Sequence, residues 1–276
     1  MSLGIVIKGP EGLVLAADSR VTLEARPPGA EHPLIVNFDN ASKLLTFPAP
    51  HQSVGAVTFG AAVIGLRTAH SFLPELETRL PSQRVPVLVF AKALSTFYLE
   101  QWNSVPNHPP LPMSFIVGGF DEDAAYGSVF AFDIPNNPEP SPRNAGEHDF
   151  GMTWGGQVNF VTRLIHGSDP GLPALLAAAL GKTPDEVAAA MSAVRPQMEF
   201  RVPYQVLPLQ DCIDLATFLI RTTATAQGLS IGVRGVGGEI EVAYVRRTTK
   251  LTFIQRKTLH GELGSTGAQS EPRGES

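Results

Sequence analysis

Ser2 carries a hydroxyl on the residue that becomes the N-terminus once the initiator Met1 is removed, as is usual before a small side chain. A hydroxyl and a free α-amine then share one residue. This is the minimal equipment of an N-terminal nucleophile, in which the chain's own amine serves as base for its own side chain. A free α-amine titrates at about 7.7–8.0, near the pH at which a general base works best. Sixteen residues on, Asp18-Ser19-Arg20 closes an apolar run and sets a carboxylate and a guanidinium at a strand end.

Composition narrows the classes of function. The chain has 276 residues, 43% of them hydrophobic, enough to bury a sizeable core, and 17% charged, with a net charge of −5. No basic stripe argues for nucleic acid. No apolar run approaches the roughly 18 residues of a membrane span. No basic region followed by an apolar block and a cleavage site opens the chain, so no secretory leader is expected. A single cysteine, Cys212, excludes an intrachain disulfide, fits a reducing cytoplasm, and reads as a small buried residue on a helix. The seven histidines show no metal-ligand spacing, and no cofactor or metal is expected.

The elements that must position Ser2 and Asp18 come first. Gly4–Ile7 and Leu13–Ala17 predict a hairpin around Gly9–Gly12, with the first strand beginning at the chain start. Arg26–Asn40, rich in Pro, Gly and Asn, reads as a long loop. Lys43–Phe47 and Ser53–Phe59 read as strands. Val63, Leu66, Ala69, Leu73, Leu76 and Leu80 predict one helix, kinked or ended at Pro74; Val87–Trp102 predicts a second. Strands are expected at Met113–Gly119, Tyr126–Ile134 and Phe150–Trp154, with a polar turn region over Pro135–Glu147. Helices are expected at Val158–Ile165, Pro173–Leu180 and Cys212–Ala226, and from a Thr183/Glu186 capping box to Val194. Ile240–Arg246 and Thr252–Gln255 close the pattern. Residues 1–260 are expected to form one α+β domain of two sheets covered by helices, followed by a disordered tail over 261–276.

This order resembles the proteasome β-type subunit family of N-terminal-nucleophile hydrolases. The family shows a Lys-Gly-x-Asp/Glu-Gly turn, an apolar strand, then Ala-Ala-Asp-x-Arg. Here these are Lys8-Gly9-Pro10-Glu11-Gly12 and Ala16-Ala17-Asp18-Ser19-Arg20. Counting back from Asp18 puts Ser2 where the family carries its catalytic threonine. Ala41-Ser42-Lys43-Leu44-Leu45 fits the lysine that opens the third strand, and Gly60 in Thr58-Phe59-Gly60-Ala61 fits the oxyanion glycine. Phe115-Ile116-Val117-Gly118-Gly119-Phe120 also looks like the family. The resemblance covers residues 2–246 and implies a four-layer αββα sandwich.

The implied activity is a cytoplasmic, proteasome-like peptidase acting on polypeptides in a homo-oligomeric ring, with an unfoldase as a possible partner. Ser2, Asp18 and Lys43 would be catalytic, with Arg20, Gly60, Gln227 and Ser230 in support. A positive charge on Lys43 would lower the pKa of the Ser2 hydroxyl, and Asp18 would orient it. The alternatives are a non-catalytic assembly subunit with this fold, or an amidase acting on a small amide. Three departures mark the chain. Serine replaces threonine and lacks the methyl that fixes χ1. The family's Asp-x-x-Ser-Gly-Gly reads Gln227-Gly228-Leu229-Ser230-Ile231-Gly232, so an amide stands in for the acid. Its Gly-Ser-Gly-Ser reads Trp154-Gly155-Gly156-Gln157, without the partner serine.

Overall fold

The computed structural model describes residues 2–25, 34–232 and 234–258. Its strands β1 (Leu3–Gly9) and β2 (Gly12–Ala17) pair antiparallel, with Gly4 opposite Ala17 and Gly9 opposite Gly12. Then come β3 (Val21–Ala25), β4 (Leu34–Phe38), β5 (Leu44–Thr46) and β6 (Val54–Gly60). Helices α1 (Leu73–Glu77) and α2 (Val87–Asn103) precede β7 (Met113–Gly119), β8 (Ser128–Ile134), β9 (Asn137–Arg143) and β10 (Gly151–Gly156). Helices α3 (Asn159–His166), α4 (Leu172–Leu180), α5 (Pro184–Met198) and α6 (Leu209–Leu229) lead to β11 (Glu241–Val245) and β12 (Thr252–Gln255). One five-stranded sheet has the order β10-β1-β2-β11-β12 and a second β5-β6-β7-β8-β9, giving a protein of the α+β class.

The continuous apolar runs of β1 and β2 have a simple origin: both strands are central in their sheet and are covered on both faces. Side chains alternate between faces along a strand. Leu3, Ile5, Ile7, Val14 and Ala16 pack with Ala216, Leu219 and Ile220 of α6 and Val161 of α3. The alternate positions Val6, Leu13, Leu15 and Ala17 pack with Val57, Ile116 and Val129 of the other sheet. The opposite face of that second sheet meets α2 through Phe90, Leu94, Phe97 and Tyr98. Buried Tyr98 donates its hydroxyl to the carbonyl of Ala69 at 2.7 Å.

The hairpin turn between β1 and β2 also ties distant parts of the chain together. Glu11 accepts the backbone N–H of Leu209 at 3.1 Å, so a carboxylate sits on the first turn of α6, where a negative charge is favoured. Lys8 is buried, and its ammonium donates to the carbonyls of Asn144 and Gly146 at 2.9 and 2.8 Å. The expected capping box forms at Thr183 and Glu186.

Four expectations are corrected. The helix through Val63 and Leu66 is absent: Gly65 takes φ +61°, Ile64 and Arg67 bridge to each other, and Leu66 is exposed. Regular helix starts only at Leu73, where Pro74 occupies the first turn and needs no N–H partner. Of the loop expected over Arg26–Asn40, residues 26–33 lie outside the described residues, and Leu34–Phe38 form β4, which pairs with β3. The turn region Pro135–Glu147 contains β9. Its prolines 138, 140 and 142 repeat every second residue, so the missing N–H groups lie on one side of an edge strand while Ser141 and Arg143 face their partners on β8. Helix α5 runs past Val194 to Met198, through Pro196. The expected disordered tail over 261–276 lies outside the described residues.

Leu15 is fully buried between the sheets, whereas Leu175 is 68% exposed on α4. Leu15→Ala is expected to lose about 2–5 kcal/mol of unfolding free energy, and Leu175→Ala less than about 0.5 kcal/mol. Urea denaturation of the two variants checks this contrast.

Candidate functional site

Asp18 follows the last residue of β2, and its side chain is fully buried. Its Oδ1 accepts the backbone N–H of Leu3 at 3.0 Å and the Lys43 ammonium at 2.9 Å. Its Oδ2 accepts the N–H groups of Arg20 at 3.1 Å and Gly237 at 3.0 Å. Four donors from four places in the chain therefore meet on one carboxylate. Lys43 immediately precedes β5 and is also buried. Its ammonium makes a second, short hydrogen bond to the carbonyl of Arg20. Burial pushes the Lys43 pKa below the usual lysine value, opposed by the charge and hydrogen bond of Asp18 and reinforced by Lys257 and Arg20. Glu241, buried at the start of β11, accepts the backbone N–H of Lys43 at 3.4 Å.

Ser2 is 3% exposed and precedes β1. Its carbonyl accepts the N–H of Gln157 at 2.7 Å. Gly156 makes this approach possible: it holds φ +97°, and a Cβ there would lie 1.9 Å from the Ser2 carbonyl oxygen. Ser2 and Lys43 line one small cavity of about 20 Å³, together with Thr58, Phe59, Ala61 and Thr68. The Thr58 hydroxyl is buried there without a hydrogen-bond partner. Phe59 also borders an open cleft of about 550 Å³ between the sheets, near Asp133, Arg143 and Thr153.

The supporting residues fall into two groups. Arg20 reaches the centre through its carbonyl, while its guanidinium turns to Asp39, with Nε to Oδ1 at 2.5 Å and Nη2 to Oδ2 at 2.7 Å. That hydrogen-bonded pair raises the Arg20 pKa and lowers that of Asp39. Gly60 ends β6 beside the cavity with φ +85°, where a Cβ would come within 2.3 Å of the Pro112 carbonyl oxygen. Gln227 and Ser230 stand apart from the cavity. Gln227 is buried on α6; its Oε1 accepts the N–H of Val236 at 2.9 Å and its Nε2 donates to Gln157 Oε1 at 3.4 Å. Ser230 is exposed at the C-terminal cap of α6 and donates to the Gln227 carbonyl at 3.3 Å. Cys212 is buried on α6, with its thiol pushed up to about 11 by burial.

Sequence reasoning missed Asp39, Glu241, Gln157 and the Gly237-Gly238 pair. The glycine pair was the legible signal. Gly237 donates to Asp18 and accepts from the Ser19 N–H at 3.0 Å, and a Cβ on Gly238 would lie 2.4 Å from the Asp39 carbonyl oxygen. The close contact to Asp18 is thus made by residue 237, beyond the 227–232 window in which the resemblance put its glycines. Among the described residues there is no group of three or more His, Cys, Asp or Glu side chains able to hold a metal ion, and no helix long and apolar enough to cross a membrane. No family model matches the chain, and no curated protein is detectably similar in sequence.

The lowered pKa of Lys43 has a defined sign in stability. Between its folded value and the unfolded value of about 10.5, the unfolded state binds more protons, so this group's contribution to stability rises with pH. Lys43→Gln removes that dependence. The stability of the wild type relative to Lys43→Gln is therefore expected to increase as pH climbs toward 10.5, measured by denaturant titration at stepped pH.

Proposed function

We propose that the chain is an N-terminal serine hydrolase of the proteasome β-type kind, cleaving peptide bonds with Ser2 once Met1 is removed. The observation that carries this reading is the buried Asp18–Lys43 ion pair at the wall of the cavity that Ser2 lines. A buried ion pair is costly to desolvate and weak as a source of stability, so its placement at the wall of the cavity that Ser2 lines points to chemistry. The stacking of α2, the two sheets, and α6 with α3 supports the four-layer αββα sandwich that the resemblance implies.

In this mechanism the Ser2 hydroxyl attacks the carbonyl carbon and its proton passes to the α-amine. The Lys43 ammonium favours the developing alkoxide, and Asp18 keeps that ammonium charged and aimed. The protonated amine gives its proton to the departing amine as the C–N bond breaks and an ester to Ser2 forms. Water then cleaves the ester, releasing the acid and restoring the hydroxyl. Gly60, at the rim, is the candidate to stabilise the oxyanion. A ring of identical subunits in the cytoplasm, fed by an unfoldase, is the setting this reading implies, with heterologous contacts closing the ring.

The second reading, an amidase acting on a small amide, would use the same Ser2 and Lys43 at this cavity. A library of peptides and small primary amides separates the two.

The direct test is intact mass followed by hydrolysis assays. The native protein is expected to lack Met1 and to cleave peptides. Ser2→Ala should abolish cleavage, and Lys43→Ala should slow it by on the order of 10²–10³-fold. Retention of Met1 on the native protein, or cleavage by Ser2→Ala equal to wild type, would overturn the mechanism. Light scattering at micromolar concentration is expected to give an oligomer mass; a monomer would exclude the ring.

A further inference from the structure

We propose that Gln157 and Gln227 form a pair of positioning residues that hold Ser2 and the Asp18–Lys43 ion pair in register with each other. The connection can be followed atom by atom. The Ser2 carbonyl is held by the N–H of Gln157, and the side chain of the same Gln157 accepts from Gln227 Nε2. Gln227 Oε1 accepts from Val236, and the next N–H, that of Gly237, ends on Asp18 Oδ2. Asp18 Oδ1 returns to Leu3, the neighbour of Ser2, and to Lys43. The bonds close a ring around residue 2.

The ring links three segments that are far apart in sequence: the β10–α3 junction, the end of α6 and the strand entry after residue 233. The amide orientation follows from the network. Val236 offers a donor, so Gln227 must present its oxygen there and its NH₂ to Gln157. An amide is suited to this place because it accepts on one side and donates on the other. A carboxylate at 227 could only accept. Gln227 is buried and has no place on the wall of the Ser2 cavity, so it acts through Val236 and Gly237.

The kinetic consequence rests on the hydrolase reading above; the geometric one does not. If the ring opens, the Gly237 segment loosens over Asp18 and water reaches the ion pair. The charged groups around Lys43 are Asp18 after β2, Arg20 in the following turn, Glu241 on β11 and Lys257 after β12, with Asp39 neutralising Arg20. Leucine at 157 or 227 alters none of these and adds no charge. Relief of burial should therefore move Lys43 titration upward, toward the ordinary lysine value.

The experiment compares Gln227→Leu, Gln157→Leu and Gln157→Glu in the full chain. Glu at 157 keeps an acceptor for Gln227 Nε2; Leu does not. In the hydrolysis assay both Leu variants are expected to lose kcat, on the order of 10²-fold for sub-ångström to ångström misplacement, with KM little changed. Gln157→Glu is expected to restore most of kcat. In parallel, the ε-carbon signal of Lys43, assigned with Lys43→Arg in ¹³C-lysine-labelled protein, is expected to titrate at higher pH in the Leu variants than in the wild type. Wild-type kcat and wild-type Lys43 titration in both Leu variants would overturn the proposal. So would a Gln157→Glu variant as impaired as Gln157→Leu. If Gln227→Leu does not fold, the half-buried position 157 carries the comparison alone. A wild type that cleaves nothing would sink the hydrolase reading, and the Lys43 titration would still decide this one.

Discussion

A carboxylate with no access to water must find every hydrogen bond inside the protein, and the architecture around residue 18 is organised by that requirement. Asp18 gathers donors from the first strand, its own turn, the segment before β5 and the segment before β11. Leaving such a group unpaired costs several kcal/mol, so each donor segment is pinned. The ends of β1, β2 and β11 are therefore held by one ion-centred cluster at the same end of their sheet. Ser2 is located because Leu3, its neighbour, is one of the donors.

The same constraint explains several unusual backbone positions. Gly156 lets the β10–α3 junction close on the Ser2 carbonyl, and Gly238 lets the segment before β11 approach Asp39. Both hold positive φ and both would clash with a Cβ, so the sequence has one solution at each place. Arg20 is shared between two tasks. Its carbonyl receives the Lys43 ammonium, and its guanidinium fixes Asp39, in the segment that leads to Lys43 and β5.

The outline of the fold was readable where one signal dominated. The buried pair β1 and β2, the 3.6-residue stripe of α2 and the capping box of α5 each state their structure locally. Reading failed where two signals competed. The apolar periodicity from Val63 to Leu80 resembles a helix, yet Gly65 in the left-handed region and Pro74 without an N–H divide it. The proline-rich run at 137–143 resembles a turn, but a proline period of two matches the pleat of an edge strand. The exposed apolar residues of β4 gave no alternation to read, because no layer among the described residues covers them.

For the candidate site, the sequence by itself determined the chemical types and their order: a hydroxyl at residue 2, a carboxylate closing a buried strand, and a lysine before the third strand of the resemblance. Those are local properties, set by residue identity and strand periodicity. What only the tertiary structure decided is who meets whom. That Lys43 reaches Asp18, that Gly237 rather than a nearer glycine closes on it, and that Gln227 faces Gln157 all depend on contacts spanning 25 to 219 residues. No periodicity encodes such pairings. They follow from the demand that buried charges and amides be satisfied, which acts only once the sheets and helices have excluded water.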